Sequence, residues 1–235
     1  MNTTKTALIT GASQGFGLAL AEALAAQGWQ LIINGRHAER LLAAQKKLVA
    51  RTEVVAISGD VRDEIHLLQL RDALINKQWA LDLIVNNASA LGTSPISHLL
   101  DHPVDNLHEL YHTNIIAPIS LLQKVRAYLR PDAQVINLSS DAAVEAYAGW
   151  GAYGSSKAAL DHLSSVLAEE APELRVYAFD PGDMRTSMHQ EAFPGEDISD
   201  RPLPQEVALP AALRLIQERP ASGRYAASAL IKALA

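Results

Sequence analysis

Tyr153 and Lys157 are the two side chains whose types and spacing most clearly suggest chemistry, because they stand four residues apart in Tyr153-Gly154-Ser155-Ser156-Lys157. In a helix this spacing places both on one face. A free phenol has a pKa of about 10, and a nearby ammonium lowers that pKa by stabilising the phenolate. Such a tyrosine can pass a proton to or from a carbonyl or alcohol oxygen. Taken alone, the spacing is common and more often marks surface or packing residues.

A glycine-rich turn, Thr10–Gly17 (TGASQGFG), follows the apolar run Thr6–Thr10 and begins a predicted helix. Glycines permit a tight turn and leave room for a pyrophosphate, and the helix N-terminus offers free N–H groups and partial positive charge. The spacing G-x-x-x-G-x-G differs from the commoner G-x-G-x-x-G. A tight turn without a ligand also uses glycine, but the strand–turn–helix context favours nucleotide binding.

The elements that must position these residues alternate along the chain, apolar runs being predicted as strands and stretches with helical spacing as helices. The predicted strands are Thr6–Thr10, Leu31–Ile33, Val54–Ile57, Leu81–Val85, Val135–Leu138, Leu174–Phe179 and Arg224–Ala227. The predicted helices are Gln14–Gln27, Ala38–Arg51, Asp63–Lys77, Tyr111–Leu129, Gly151–Glu170 and Gln205–Glu218. Alternation of this kind indicates βαβ units and a parallel sheet covered on both faces. We therefore predict an α/β, doubly wound Rossmann fold with about seven parallel strands, in a single domain over residues 1–235.

Composition excludes several classes of protein. The 235 residues are 49% hydrophobic and 20% charged, which suits a globular core and not a disordered chain. The net charge of −6 argues against binding to nucleic acid, which needs a basic face. No apolar run approaches the roughly 18 residues of a membrane helix, and the sequence has no signal-peptide pattern. Since Cys is absent, disulfides and thiol chemistry are excluded, and we expect a cytoplasmic protein.

Polar residues also follow four other predicted strands: Asp60 the third, Asn87 the fourth, Ser140 the fifth and Asp180 the sixth. In an open parallel sheet these positions share the carboxyl edge, where ligands bind at the switch in strand order. Each residue alone also fits ordinary turn chemistry. The order and spacing of the set therefore carry the argument.

Together these motifs resemble the short-chain dehydrogenase/reductase family, from Thr10-Gly11 to Thr186. The resemblance implies an oxidoreductase that transfers hydride between a nicotinamide cofactor and a carbonyl or alcohol carbon of a small substrate. It implies that Tyr153 is the general acid/base and that Lys157 lowers its pKa and binds the nicotinamide ribose. Ser140 would hold the substrate oxygen, and Asn114 would hold a water in a proton relay.

The resemblance also assigns residues to the cofactor. Asp60, Val61 and Asn87 belong to the adenosine side, and the Met184 backbone and Thr186 to the carboxamide. The full predicted cofactor set is Gly11, Ser13, Gln14, Gly15, Phe16, Gly17, Arg36, Asp60, Val61, Asn87, Ala88, Tyr153, Lys157, Pro181, Gly182, Met184 and Thr186.

The residues after the second strand predict the choice of cofactor. Gly35 stands where NAD-preferring relatives usually have Asp, whose carboxylate binds the ribose hydroxyls and repels a 2′-phosphate. Arg36 adds a permanently charged partner for that phosphate, although an exposed Arg at a helix start is the alternative. Gln14 stands where NADP-specific relatives often have Arg or Lys. We predict a preference for NADP(H) with NAD(H) as an alternative. The alternative functions are an NAD-preferring alcohol dehydrogenase and a catalytically idle nucleotide-binding protein.

The predicted substrate residues are Ser140, Tyr147, Trp150 and Met188, which together could line an apolar pocket with a few polar anchors. Simple packing of the loop before Tyr153 explains Tyr147 and Trp150 equally well.

Two residues depart from the family pattern. Ser89 replaces the glycine that usually ends Asn-Asn-Ala-Gly, and Asp183 stands where relatives usually have an apolar residue beside the nicotinamide. The Asp183 carboxylate could face solvent or recognise a polar substrate. The Asp-Gly-Gly that relatives often have near the last strand is also missing.

A competing motif, His108-Glu109-Leu110-Tyr111-His112, matches the zinc-peptidase pattern H-E-x-x-H. Ile115 and Pro118 stand where the extended form needs Gly and His, and Glu145 is a candidate for a third ligand. Because the segment leads directly into Asn114, we predict no metal. Incidental metal capture by surface histidines is the alternative.

Self-association is predicted from the helices Ile115–Leu129 and Gly151–Glu170. They carry apolar residues around most of their circumference, among them Ile116, Leu122, Val125 and Val166. A sheet covers only one face of a helix, and members of the family pair these two helices. The sequence therefore predicts a homodimer or homotetramer that acts on a small molecule.

Overall fold

The computed structural model describes residues 4–232, in which seven strands alternate with helices. The strands are β1 (Thr6–Ile9), β2 (Gln30–Gly35), β3 (Val54–Ser58), β4 (Leu81–Asn86), β5 (Leu129–Leu138), β6 (Arg175–Asp180) and β7 (Gly223–Ala226). The helices are α1 (Gly15–Ala26), α2 (Ala38–Leu48), α3 (Glu64–Lys77), α4 (Val104–Tyr111), α5 (Ala117–Val125), α6 (Gly151–Glu170), α7 (Ser187–Ala192), α8 (Ala208–Glu218) and α9 (Ala227–Lys232). None of these helices is both long and apolar enough to span a bilayer. The predicted domain, residues 1–235, extends beyond the described part at both ends.

All seven strands pair in parallel, in the order β3-β2-β1-β4-β5-β6-β7. The predicted doubly wound sheet is confirmed. The chain fills one half of the sheet outward from β1 and then returns to begin the other half at β4, so the strand order reverses between these two strands. In such a sheet the crevice beyond their carboxyl ends is the expected ligand site.

Apolar side chains on both faces of the sheet form two separate cores. Alternate strand residues point to opposite faces: Ile9 and Ile33 join the core under α1, α2 and α8, whereas Leu8 and Ile32 join the core under α3 and α5. Burial on both faces explains why the strands read as continuous apolar runs.

The predicted helix Tyr111–Leu129 is wrong in its extent. The helical stretch begins at Val104, widens into a π-helical turn at His112–Ile116 and ends as α5 at Val125. Pro118 explains the turn, because proline has no N–H to donate to the carbonyl of Asn114 four residues earlier and its ring would crowd that carbonyl. The following strand begins at Leu129 and not at Val135.

The helix faces predicted for self-association are only partly uncovered. Leu122 and Val125 are buried within the chain's own core, whereas Ile116 and Val166 are 52% and 37% exposed. Self-association stays a prediction that rests on the exposed residues alone.

Candidate active site

The glycine-rich turn forms a tight cradle against the end of β4. Gly15 has a positive φ of 58°, and a Cβ added at Gly17 would lie 2.5 Å from Asn87 Nδ2. The same Asn87 amide donates hydrogen bonds to the carbonyls of Thr10 (2.8 Å) and Gly11 (3.0 Å). Gln14, at the N-terminus of α1, makes no side-chain capping bond, so the first N–H groups of α1 are left for another acceptor. This arrangement fits an anionic pyrophosphate.

A cavity of about 230 Å³ opens beside this turn. It brings together much of the predicted cofactor set: Gly11, Ser13, Gln14, Gly15, Phe16, Arg36, Asp60, Val61, Asn87, Ala88, Met184 and Thr186. Tyr153, Pro181 and Gly182 line a second, adjacent cavity, whereas Gly17 and Lys157, also predicted to bind the cofactor, line neither cavity. The residues present therefore fit a dinucleotide whose pyrophosphate would lie at the glycine turn.

Part of the lining of the first cavity is basic. Arg36 and His37 line it, together with Arg40, whose Nη1 donates to Gln14 Oε1 at 2.9 Å. Sequence reasoning missed Arg40, because only the fold brings α2 next to the glycine turn. Asp60 is held by three hydrogen bonds from the Arg62 guanidinium. Burial acts to raise the pKa of Asp60, but the bonds from Arg62 outweigh it and hold that pKa below its usual value.

The second cavity, of about 330 Å³, lies beyond the ends of β5 and β6. Its lining includes all four predicted substrate residues, Ser140, Tyr147, Trp150 and Met188. Trp150 also packs edge-on against Tyr153, with 5.6 Å between ring centroids, so lining and packing roles coincide. The two cavities share Met184, Thr186 and Met188 in their linings.

Tyr153 and Lys157 lie together in the first half of α6, as their spacing predicts. Lys157 is 2% exposed; its Nζ donates to the carbonyl of Leu138 at 2.7 Å and lies 5.5 Å from the centroid of the Tyr153 ring. Burial lowers the pKa of Lys157 to about 8, against an opposing effect of Asp161.

The predicted lowering of the Tyr153 pKa is wrong for the chain by itself. Burial raises that pKa, and the carboxylates of Asp180 and Asp141 raise it further, while the hydroxyls of Ser140 and Ser89 act in the opposite direction. The phenolate is disfavoured because it would be buried near negative charge. The Lys157 ammonium, bonded to the Leu138 carbonyl, does not overcome this.

The Ser140 hydroxyl is already engaged. It donates to Asp141 Oδ1 at 2.9 Å and accepts from the N–H of Ala142 at 3.2 Å, capping a 3₁₀ turn at Asp141–Ala143. A substrate oxygen that takes the Ser140 proton must therefore compete with Asp141. Sequence reasoning did not single out Asp141, although its position directly after Ser140 was a visible signal.

The Asn114 side chain, 1% exposed, is saturated with hydrogen bonds. Its Oδ1 accepts from Ser89 Oγ (3.0 Å) and Ala90 N (2.8 Å), and its Nδ2 donates to Ala90 O (2.9 Å) and Ser156 Oγ (3.0 Å). The side chain thus joins the loop after β4 to α6, and the unusual Ser89 is part of this joint. Because the side chain is fully bonded, a water at Asn114 would have to bind the main-chain carbonyl instead. That carbonyl receives no hydrogen bond from Pro118, which has no N–H.

Asp183 lines the second cavity and also faces solvent, with 58% of its side chain exposed. Its Oδ2 lies 3.4 Å from Arg201 Nε, and its Oδ1 lies 3.9 Å from His189 Nδ1. Its charge is therefore partly balanced.

The H-E-x-x-H residues do not lie on one regular α-helix. His108 and Glu109 belong to α4, His112 begins the π-helical turn, and Glu109 pairs with Arg62 at 3.5 Å. Within residues 4–232 no three His, Cys, Asp or Glu side chains come together in a way that could hold a metal ion.

Comparison with known proteins points to one family. The sequence pattern of the short chain dehydrogenase family matches residues 5–197. A Haemophilus influenzae protein named "Probable NADP-dependent dehydrogenase" is 35% identical over 76% of this chain and 71% of its own. The NADPH-dependent pterin aldehyde reductase of Arabidopsis thaliana is 29% identical over 90% of this chain and 88% of its own. A short chain dehydrogenase from Shigella flexneri, crystallised with NADP, superposes with a TM-score of 0.88 at 27% identity, covering 95% of this chain and 97% of that one.

Proposed function

The chain belongs to the short-chain dehydrogenase family of oxidoreductases, which interconvert CH–OH and C=O groups with NAD(P), and we propose that it is an NADP(H)-dependent carbonyl reductase for a small substrate. The observation that carries the proposal is the junction of the two cavities. The glycine cradle lines one, Ser140 and Tyr153 line the other, and Met184, Thr186 and Met188 line both. When bound, the nicotinamide supplies or accepts the hydride.

Tyr153 is the proposed proton donor to the substrate oxygen. Its raised pKa keeps the phenol protonated at neutral pH, and the protonated form is the one that carbonyl reduction needs. Ser140 orients the same oxygen once its hydroxyl stops donating to Asp141 and donates to the substrate instead. Lys157, with a pKa of about 8, is mostly cationic at neutral pH and holds the end of β5 through the Leu138 carbonyl. The Asn114 main-chain carbonyl holds the relay water.

Arg36 and Arg40 support the choice of NADP(H). Both line the cofactor cavity near Gly35, a position that carries no carboxylate to repel a 2′-phosphate. The similar proteins from Haemophilus influenzae and Arabidopsis thaliana are named for NADP or NADPH.

We expect Arg36→Ala to lower kcat/KM for NADPH by about 10-fold and to leave the value for NADH nearly unchanged. A charge-assisted hydrogen bond contributes about 1.5–3 kcal/mol, and we take the low end because Arg36 is exposed and screened by solvent. Arg51→Ala is the matched control, because Arg51 is an exposed arginine that does not line the cavity. It should keep the wild-type ratio of kcat/KM for NADPH to kcat/KM for NADH. A wild type that prefers NADH, or an unchanged ratio in Arg36→Ala, would refute the cofactor choice.

The charge of the substrate cavity indicates the class of substrate. Asp141 and Asp183 line it, and of the described lining residues none is Lys or Arg. Among the described residues, the Asp141 carboxylate accepts hydrogen bonds from neutral donors only, the Ser140 and Tyr147 hydroxyls and the Ala142 N–H, so these partners do not compensate its charge. We infer that the enzyme prefers neutral or cationic carbonyl compounds to carboxylate-bearing ones.

The test is NADPH oxidation with a matched series of aldehydes and ketones that differ only in a neutral, amino or carboxylate substituent. We expect kcat/KM for the carboxylate member to be lower by about 10-fold, as one uncompensated charge predicts, and Asp141→Asn to narrow that gap. A carboxylate member that reacts best would contradict the substrate class. Binding of NADPH without turnover of any carbonyl would instead support the idle nucleotide-binding protein.

A further inference from the structure

Arg224, on the edge strand β7, joins three groups behind the reacting side chains. Its Nε donates to Asp161 Oδ2 at 2.9 Å, and its Nη2 donates to the main-chain carbonyl of Ser140 at 2.9 Å and to Asp180 Oδ2 at 3.1 Å. The Arg224 side chain is 30% exposed, whereas those of Asp161 and Asp180 are 15% and 9% exposed. Arg224 does not line the substrate cavity.

Each of these three groups is one step from a residue of the proposed reaction. The carbonyl belongs to Ser140 itself. Asp161 lies one helical turn after Lys157 on α6 and raises its pKa, while Asp180, at the end of β6, raises the pKa of Tyr153. The planar guanidinium can satisfy all three acceptors at once, which a lysine ammonium does with less geometric precision.

We propose that Arg224 is a positioning residue for this enzyme: it fixes the segment that carries Ser140 and balances the charges of Asp161 and Asp180 beside Tyr153 and Lys157. The inference rests on the proposed function. Neither the sequence motifs nor the spacing of polar strand ends points to Arg224, because β7 is distant in sequence from the motifs and pairing with β6 brings it beside the site.

The direction in which loss of Arg224 shifts the pKa values of Tyr153 and Lys157 follows from the charges around these two residues. In the described chain these are Asp141 after β5, Asp180 on β6, Asp161 on α6 and the Lys157 ammonium itself, with Arg224 paired to Asp161 and Asp180. Ser140 and Ser89 contribute neutral hydroxyls. Removing the guanidinium leaves the carboxylates unbalanced, so both the phenol and the ammonium hold their protons to higher pH.

The experiment compares pH profiles of kcat for alcohol oxidation, in which Tyr153 must give up its proton. We expect Arg224→Gln to move the apparent pKa upward by about 0.5–1 unit and to slow oxidation several-fold at pH 7.5. Arg224→Lys should restore most of the profile because it keeps the charge. Asp180→Asn should move the apparent pKa downward, an opposite shift that a merely structural role would not produce.

Arg214→Gln is the matched control, because Arg214 pairs with Glu218 on α8 at 2.7 Å and lies outside both cavities. It should leave the profile unchanged. An unshifted profile in folded Arg224→Gln would overturn the proposal, even if the rate falls. If Arg224→Gln does not fold, an unshifted profile in Asp180→Asn would overturn it.

A readout without turnover separates this inference from the proposed function. Lys157 can be titrated by NMR of ¹³Cε-labelled lysine, with the signal assigned by its loss in Lys157→Met. Its pKa should rise in Arg224→Gln and fall in Asp161→Asn. If the wild type turns over no substrate but these pKa shifts of Lys157 occur, the proposed function fails. The inference that Arg224 balances the charges of Asp161 and Asp180 is then still supported. If turnover is normal but Lys157 titrates at the same pH in Arg224→Gln and Asp161→Asn as in the wild type, the Arg224 inference alone fails.

Discussion

Replacing Tyr153 with phenylalanine is expected to lower kcat for carbonyl reduction by at least about 100-fold, the low end for a lost general acid, while the affinity for NADPH stays close to the wild-type value. The change removes only the hydroxyl, and the ring keeps its edge contact with Trp150. Stopped-flow or steady-state assays of NADPH oxidation give kcat, and quenching of protein fluorescence gives the Kd.

Tyr111→Phe is the control for this experiment. The Tyr111 hydroxyl donates to Ser155 Oγ at 2.8 Å and does not line either cavity. We expect it to behave as the wild type. If Tyr153→Phe retains more than about half the rate, well short of the loss that removal of a general acid causes, the proton must come from another group. The Ser140 hydroxyl would then be the first to test.

The sequence predicts the fold because patterns of local spacing decide it. The glycine turn, the continuous apolar strands and the helices α1 to α3 are local features, and the structure has them within a few residues of the predicted bounds. The interrupted helix around Asn114 is different, since it depends on one proline whose missing N–H widens a turn. The short helices α7 and α9, of six residues each, are too brief for periodicity to reveal.

The site is predicted less completely, because part of it depends on contacts between distant segments. Arg40 and Arg224 stand at positions where sequence alone shows only polar surface residues. The fold gives each a distant partner: Gln14 for Arg40, and Asp161 with Asp180 for Arg224. Such partners are set by strand order and helix packing, which spacing along the chain does not encode.

The Tyr153 pKa shows the same limit in electrostatic terms. The spacing of Tyr153 and Lys157 correctly indicates that they are neighbours, but the sign of a pKa shift depends on burial and on every nearby charge. Here burial and two carboxylates outweigh the neighbouring ammonium. The chain by itself therefore holds the phenol in its acid form. Reduction needs that form, whereas oxidation needs a further positive charge near the phenolate.

The replacement of Lys157 is expected to damage two properties together. Lys157→Ala removes a buried cation and leaves the Leu138 carbonyl without its donor, an unsatisfied buried group that costs about 1–3 kcal/mol of stability. Lys157→Met keeps most of the volume, so it separates the charge from the packing. For Lys157→Met we expect kcat to fall by about 100-fold, comparable to the loss of an acid–base group, and the Kd for NADPH to rise. Lys124→Met, which removes only a surface pair with Glu64, should change neither.

The pH profile of carbonyl reduction tests the charge of Lys157 directly. With a pKa of about 8, Lys157 is cationic below that pH and loses its charge as the pH rises through it. The raised pKa of Tyr153 keeps the phenol protonated over the same range. We therefore expect kcat to decline above about pH 8 and the decline to follow the loss of the Lys157 charge. In Lys157→Met this decline should disappear, because the remaining slow rate no longer depends on an ammonium. If kcat of Lys157→Met still declines above about pH 8 and its NADPH affinity is unchanged, the decline belongs to a different group. Lys157 would then have no part in the mechanism.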